Sequence, residues 1–320
     1  MAFGFGKEKR FMKKIPLIVV AGPTASGKTR LAIDIAKEFN GEIVSADSMQ
    51  IYKYMNIGTA KPTDKEKDGV PHHLMDFLEP SENFSVADYC QMAHKVIKEI
   101  HSRDKIPILV GGTGLYIDSL VNNVDFDQDD ENHEIRKELE ELAEKEGVEA
   151  VHNILKEIDP ETAEKYHPNN LRRVIRAIEF YRVTGKRISD HAKEEKTSLY
   201  DTVYFCIDWD REVLYDRINR RVDIMVEDGL VEEVKALLEK GYDKNSTAMQ
   251  GIGYKEFYGY LEGSKTLEET LDEIKQSSRR YAKRQLTWFR RNKNIHWLTP
   301  SENMLDDALM IINKTLKKDA

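Results

Sequence analysis

The chain has 320 residues, in which 57 aspartates and glutamates outnumber 49 lysines and arginines to give a net charge of −8. That length exceeds one typical domain of about 100–200 residues and leaves room for a large core with an inserted or appended unit. The acidic balance argues against a general nucleic-acid coat, although local basic clusters can override it. Two cysteines, Cys90 and Cys206, lack paired spacing, which argues against a disulfide framework or thiolate metal site and fits a reducing, cytoplasmic setting.

Basic residues Lys7, Lys9, Arg10, Lys13 and Lys14 precede the apolar run Ile15 to Ala21. That run is short and leads directly into a glycine-rich loop, so it reads as a strand and not as a signal peptide. No apolar run of roughly 18 residues follows anywhere, so nothing is expected to span a membrane. Residues 22–29 read GPTASGKT, a full Gly-x-x-x-x-Gly-Lys-Thr loop, followed by the helical pattern of Leu31, Ile35, Ala36 and Phe39. Glycines at both ends let successive N–H groups face one anion at a helix N-terminus; Lys28 adds a point charge and Thr29 a magnesium-facing hydroxyl. A diphosphate or triphosphate is the expected ligand; whether it is transferred, hydrolysed or expelled stays open.

The second strand pattern, Glu42 to Ala46, ends at Asp47. Strand carboxyl ends in a doubly wound sheet point at the phosphate crevice, so Asp47 is either an acid over the bound phosphates or an ordinary turn residue. His72 and His73 lack metal-ligand spacing and read as loop. A helix is expected over Val86 to His101, then a strand over Ile106 to Val110 ending in Gly111, Gly112, Thr113 and Gly114. No carboxylate ends that strand; its glycines suggest close approach of a ligand to backbone, beside a threonine hydroxyl.

From Asp125 to about Leu199 no strand pattern occurs, only charged helical segments, and the acidic run Asp125 to Glu131 reads as a solvated linker. Within this stretch Arg172, Arg173 and Arg176 share a helix with apolar Val174, Ile175 and Ile178, either a salt-bridged face or an RNA contact. The alternation resumes with a strand at Val203 to Ile207, helices at Arg211 to Val226, Val231 to Lys240 and Leu267 to Arg291, and a further strand at Ile295 to Leu298. Arg217, Arg220 and Arg221 sit where a helix can deliver an arginine onto a diphosphate, but periodicity does not choose among them. In the last long helix Arg279, Arg280, Lys283, Arg284, Arg290 and Arg291 fall in one arc, the footprint of a polyanion or of pairing with surface acids. The expected fold is α/β, a P-loop-type parallel sheet flanked by helices, with residues 1–122 and 200–320 as core and 123–199 as an inserted all-helical domain.

The ordered set GPTASGKT, SADSMQIYKYMNIGTAKP (45–62), VPHHLMD (70–76), VGGTGLY (110–116), HPNNLRRVIRAIE (167–179), the 211–230 segment and MQGIGYKE (249–256) resembles the tRNA dimethylallyltransferases, or tRNA isopentenyltransferases, of the bacterial kind. The likeness runs over nearly the whole chain, and no zinc-finger pattern of the eukaryotic members follows it. The resemblance implies transfer of a dimethylallyl group from its diphosphate to the exocyclic amine of the adenosine 3′-adjacent to the tRNA anticodon. It places the diphosphate on Gly22, Pro23, Thr24, Ala25, Ser26, Gly27, Lys28, Thr29 and Arg217, with Mg2+ near Thr29. Asp47, Lys28, Thr113 and Arg217 are implied as catalytic. Asp47, Ser48, Met49, Gln50, Thr113, Arg136, Arg172, Arg173, Val174, Ile175, Arg176, Gln250, Gly251, Ile252, Gly253, Tyr254 and Lys255 are implied to meet the tRNA anticodon stem-loop. A cytoplasmic monomer is expected. Two rivals use the same loop: a small-molecule kinase, which would bind ATP and release ADP, and a nucleotide-switched RNA-binding protein, which leaves Asp47 and the Thr113 loop without a task.

Overall fold

The computed structural model describes residues 14–124, 133–191 and 198–316. Lys7, Lys9, Arg10, Lys13 and the acidic run 125–131 lie outside the described residues. Six strands, β1 (Ile15–Ala21), β2 (Gly41–Ser45), β3 (His72–His73), β4 (Ile106–Gly111), β5 (Tyr200–Ile207) and β6 (His296–Leu298), form one sheet in the order β3-β2-β4-β1-β5-β6. Every pairing is parallel. The four inner strands are almost continuous apolar runs because helices cover both faces, so neither set of alternating side chains meets water.

One face packs Ile18, Val20 and Phe205 against Leu31, Ile35 and Ala36 of the Lys28–Glu38 helix and Ala308 and Ile312 of the Met304–Leu316 helix. The histidines read as loop are instead β3: His72 and His73 pair with Ile43 and Val44 at the sheet edge. Two polar residues carry no period-2 signal, and the pairing is fixed from outside the segment, by Glu42, whose carboxylate meets His73 Nε2 at 2.7 Å. The long helix runs Leu267–Phe289, started by a capping box between Thr266 and Glu269. Arg290 is its cap and Arg291 lies beyond it, so the basic arc is shorter than its sequence pattern, and Arg279 donates to Asn219 Oδ1 at 2.6 Å.

Residues Asn123–Thr197 form a second compact unit. Its described residues build helices His133–Glu146, Val148–Ile158, Pro160–Lys165, Leu171–Thr184 and Ile188–His191, and no strand. Leu139, Val151, Leu155, Val174 and Ile178 are its apolar centre. Buried Asp159 ties three segments by accepting from the N–H groups of Thr162 at 3.1 Å and Ser189 at 3.0 Å. The second boundary falls before Ser198, two residues earlier than the expected start of the core segment at 200; Ser198 Oγ donates to Val121 O at 2.7 Å and belongs with the core.

Candidate active site

β1, β2 and β4 are neighbours in the sheet, so the loops after their carboxyl ends share one crevice. The Gly22–Thr29 loop leaves β1, Asp47 follows β2 and Thr113 follows β4. Ala46 N donates to Val110 O at 2.7 Å and Thr113 N to Ala46 O at 3.1 Å, which zips the second and third of these loops together. Glycine is required there because a Cβ on Gly111 would lie 2.0 Å from Ala46 O.

Gly27 begins the Lys28–Glu38 helix in the left-handed region, with φ 89°, a conformation glycine adopts without steric cost. Ser26 N donates to Pro23 O at 3.3 Å and Thr24 N to Gln285 Oε1 at 3.0 Å. Both amides are thus engaged within the protein, and the cradle is narrower than the full Gly22–Thr29 run. What remains for an anion is the set of unpaired N–H groups in the first helical turn. Trp209 Nε1 donates to Ser26 O at 2.9 Å and fixes the outer side of the loop.

Lys28 Nζ rests 3.3 Å from Pro23 O. Burial lowers its ammonium to about 8, opposed by the charge of Asp47 and reinforced by that of Arg221. Among the three arginines left open by periodicity, Arg217 donates through Nε to Ala25 O at 2.9 Å and stacks 4.5 Å over Trp209. Arg221 is lowered by burial and held up by Asp47, with Arg217 as a like-charged neighbour. Arg220 points away and pairs with Asp216 at 2.8 Å. Arg217 and Arg221 are one helical turn apart on the same face, a choice over Arg220 that the packing of the helix makes and periodicity alone does not.

Asp47 Oδ1 accepts from Met49 N at 2.9 Å and Gln50 N at 3.4 Å, a turn-capping arrangement that leaves Oδ2 without a protein hydrogen bond among the described residues. Both readings of Asp47 are therefore compatible: one oxygen orders the turn and the other is available. Thr113 Oγ1 accepts Ser48 N at 3.0 Å and lies 3.3 Å from Ser48 Oγ. Tyr281 shares this network; burial first and Asp47 second raise its phenol, while hydrogen bonds to the Thr113 and Gln285 side chains oppose the shift. Tyr281, Gln285 and Trp209 carry no motif signal and were not singled out by sequence.

Several residues expected at RNA have structural duties. Val174 and Ile175 are 0% and 2% exposed, so their side chains are core of the helical unit and cannot touch RNA. Tyr254 is fully buried, and its hydroxyl donates to Glu233 Oε1 at 2.7 Å. The same carboxylate accepts the N–H groups of Asn56 and Ile57, both at 2.8 Å, and Gly58 at 3.1 Å. Gln50 Nε2 is spent on Thr59 O and Ala60 O, and Gly253 N on Glu256. Gly251 is buried, Met49 and Ile252 are half-buried against the apolar cluster around Tyr254, and Gln250 donates to Lys244 O at 2.7 Å. Lys255, Arg172 and Arg173 are exposed, whereas Arg136 and Arg176 meet buried Glu179 at 2.9 and 3.4 Å.

The described residues contain no group of three or more His, Cys, Asp or Glu side chains able to hold a metal. Thr29 offers a single hydroxyl beside the anion cradle, a donor set that suits Mg2+ because this ion keeps water and substrate phosphate oxygens in its shell.

Fold and site together define a P-loop-type α/β enzyme in which the loops after three consecutive strands, β1, β4 and β2, bring a glycine-rich loop and an acid to one crevice. An IPP transferase family pattern matches residues 50–292. A protein named tRNA dimethylallyltransferase from Acetivibrio thermocellus is 54% identical over 296 residues, 92% of this chain and 95% of that one. The crystal structure of the full-length tRNA isopentenylpyrophosphate transferase from Bacillus halodurans superposes with a TM-score of 0.72 at 46% identity, covering 96% of this chain and 98% of that chain. A eukaryotic dimethylallyltransferase acting on tRNA gives a TM-score of 0.80 at 33% identity, with 96% and 77% of the two chains covered. This chain belongs to the IPP transferase family and is a prenyl-transferring enzyme.

Proposed function

We propose that the crevice between the Gly22–Thr29 loop, Asp47 and Thr113 transfers a dimethylallyl group from dimethylallyl diphosphate to the exocyclic amine of the adenosine 3′-adjacent to the tRNA anticodon. The observation that carries this reading is an anion cradle after β1 and a half-free carboxylate after β2, on either side of the β4 loop in one crevice, with Lys28, Arg217 and Arg221 close by.

The first-turn amides, Lys28 and Arg217 hold the diphosphate, and their fixed dipoles and charges stabilise the anion that grows as the carbon–oxygen bond breaks. Thr29 would hold Mg2+, which would supply further neutralisation of the diphosphate charge. Adenine's exocyclic amine is a weak nucleophile because its lone pair is delocalised into the ring. Asp47 Oδ2 accepts a hydrogen bond from that amine and takes its proton as the new carbon–nitrogen bond forms. The base leaves its stack to reach the crevice, as bases modified by other enzymes do. Exposed Arg172 and Arg173 meet the stem phosphates, and Arg136 and Arg176 support that face through Glu179. The enzyme works as a cytoplasmic monomer, and no described helix is long and apolar enough to cross a membrane.

The test is incubation with tRNA and radiolabelled dimethylallyl diphosphate, alongside an ATPase control. Label incorporated into RNA without ATP turnover is expected. Phosphoryl transfer from ATP with unlabelled RNA would overturn the reading in favour of a kinase.

A further inference from the structure

Gln285 lies on the Leu267–Phe289 helix, far in sequence from either glycine loop, yet its side-chain amide is shared between them. Oε1 accepts the Thr24 N–H of the Gly22–Thr29 loop at 3.0 Å, and Nε2 donates to Gly112 O at 2.9 Å. The residue is 5% exposed; its bond to Gly112 O is buried and that from Thr24 N half-buried, so an unmet partner at either end is costly. Space is reserved for it: a Cβ on Gly112 would lie 2.2 Å from Gln285 Nε2. One residue beyond Gly112, Thr113 Oγ1 holds Ser48 N, the amide that follows Asp47.

We propose that Gln285 is a positioning residue that sets the distance between the diphosphate cradle and the Asp47 base, through Thr24 on one side and the Gly112–Thr113–Ser48 path on the other. This rests on the transfer reaction proposed above. An amide is required because the strut needs an acceptor at one end and a donor at the other. A carboxylate supplies only acceptors and a thioether neither in adequate strength.

The consequence is specific to a two-substrate transfer. With both loops held, departure of the diphosphate and attack by the amine occur in register, and each diphosphate released corresponds to one prenylated tRNA. With the strut cut, each loop still binds its own substrate, but the allyl carbon and the amine no longer meet. Water then takes the allyl group: the carbon–oxygen bond to diphosphate breaks, a new carbon–oxygen bond forms to water, and water's proton passes to solvent, giving dimethylallyl alcohol and diphosphate.

The experiment measures diphosphate released and prenyl incorporated in the same reaction for wild type, Gln285→Met, Gln285→Glu and Gly112→Ala. For wild type the ratio is expected to be one. For Gln285→Met the expected result is a fall in kcat for prenylation of at least 30-fold, KM values for tRNA and dimethylallyl diphosphate within threefold of wild type, and a release-to-transfer ratio above three. Gln285→Glu and Gly112→Ala reach the same bonds differently and should show the same split, so poor folding of one variant leaves two others to decide. A ratio that stays at one in the folded variants, with losses confined to thermal stability or to KM, overturns the proposal. Wild type that fails to prenylate tRNA at all would instead overturn the reaction itself.

Discussion

The side-chain oxygen of Thr113 accepts the backbone N–H of Ser48 at 3.0 Å, across 65 positions of sequence. The bond anchors the loop after β2 to the loop after β4 and holds Asp47 in its turn. Thr113→Val keeps the shape and removes the acceptor. We expect a stability loss of about 1 kcal/mol and a fall in kcat on the order of 10²-fold, the cost of a small misplacement of a reacting group. Steady-state kinetics with a parallel melting curve separates the two; unchanged kcat would remove Thr113 from the site's organisation.

Asp47→Asn retains an acceptor for Met49 N and Gln50 N but cannot take a proton. Turnover should fall by about 10² to 10⁴, the range of general-base catalysis, with tRNA affinity nearly unchanged in a filter-binding assay. Near-normal turnover would show that the amine loses its proton to another group.

Lys28 titrates near 8 in the free protein because it is buried. Its positive charge is full below that pH and is lost as pH rises through it, so kcat/KM for dimethylallyl diphosphate should decline above about pH 8. Arg221→Gln removes a like charge and should move the break to higher pH. Asp47→Asn removes the opposing charge and should move diphosphate binding's break to lower pH, measurable by calorimetry without turnover.

Arg172 and Arg173 changed together to glutamate should raise KM for tRNA by tenfold or more while leaving that for dimethylallyl diphosphate unchanged, because charge reversal repels phosphate at a surface remote in sequence from the cradle. Equal effects on both constants would count against RNA contact by this helix.

Glu42 is 4% exposed and meets His73, Arg103 and Lys105 at 2.7, 2.7 and 2.8 Å. Burial pushes its carboxyl up, but hydrogen bonds from Lys105, His73 and Arg103 outweigh this and hold it at about 2. A depressed carboxyl stabilises the fold above its unfolded value of 4.5 and loses that contribution as pH falls toward 2. Glu42→Gln should therefore cost about 3 kcal/mol near neutrality, and the melting temperatures of variant and wild type should converge between pH 4.5 and 2.

The inner sheet and the glycine turn into the first helix are legible from neighbouring residues alone. β1, β2, β4 and β5 are buried on both faces, so their apolar runs are local and legible, and Gly27 and Lys28 follow from loop chemistry within eight residues. The place of Asp47 followed too, because a strand's carboxyl end is a local property. Which partners close the site depends on packing between elements far apart in the chain. Gln285 lies 261 positions from Thr24, and Trp209 183 from Ser26, and neither contact leaves a periodic trace. The same reason hid the burial of Val174, Ile175 and Tyr254: a motif records that a residue type is needed, whereas the direction its side chain takes is set by packing against elements distant in the chain.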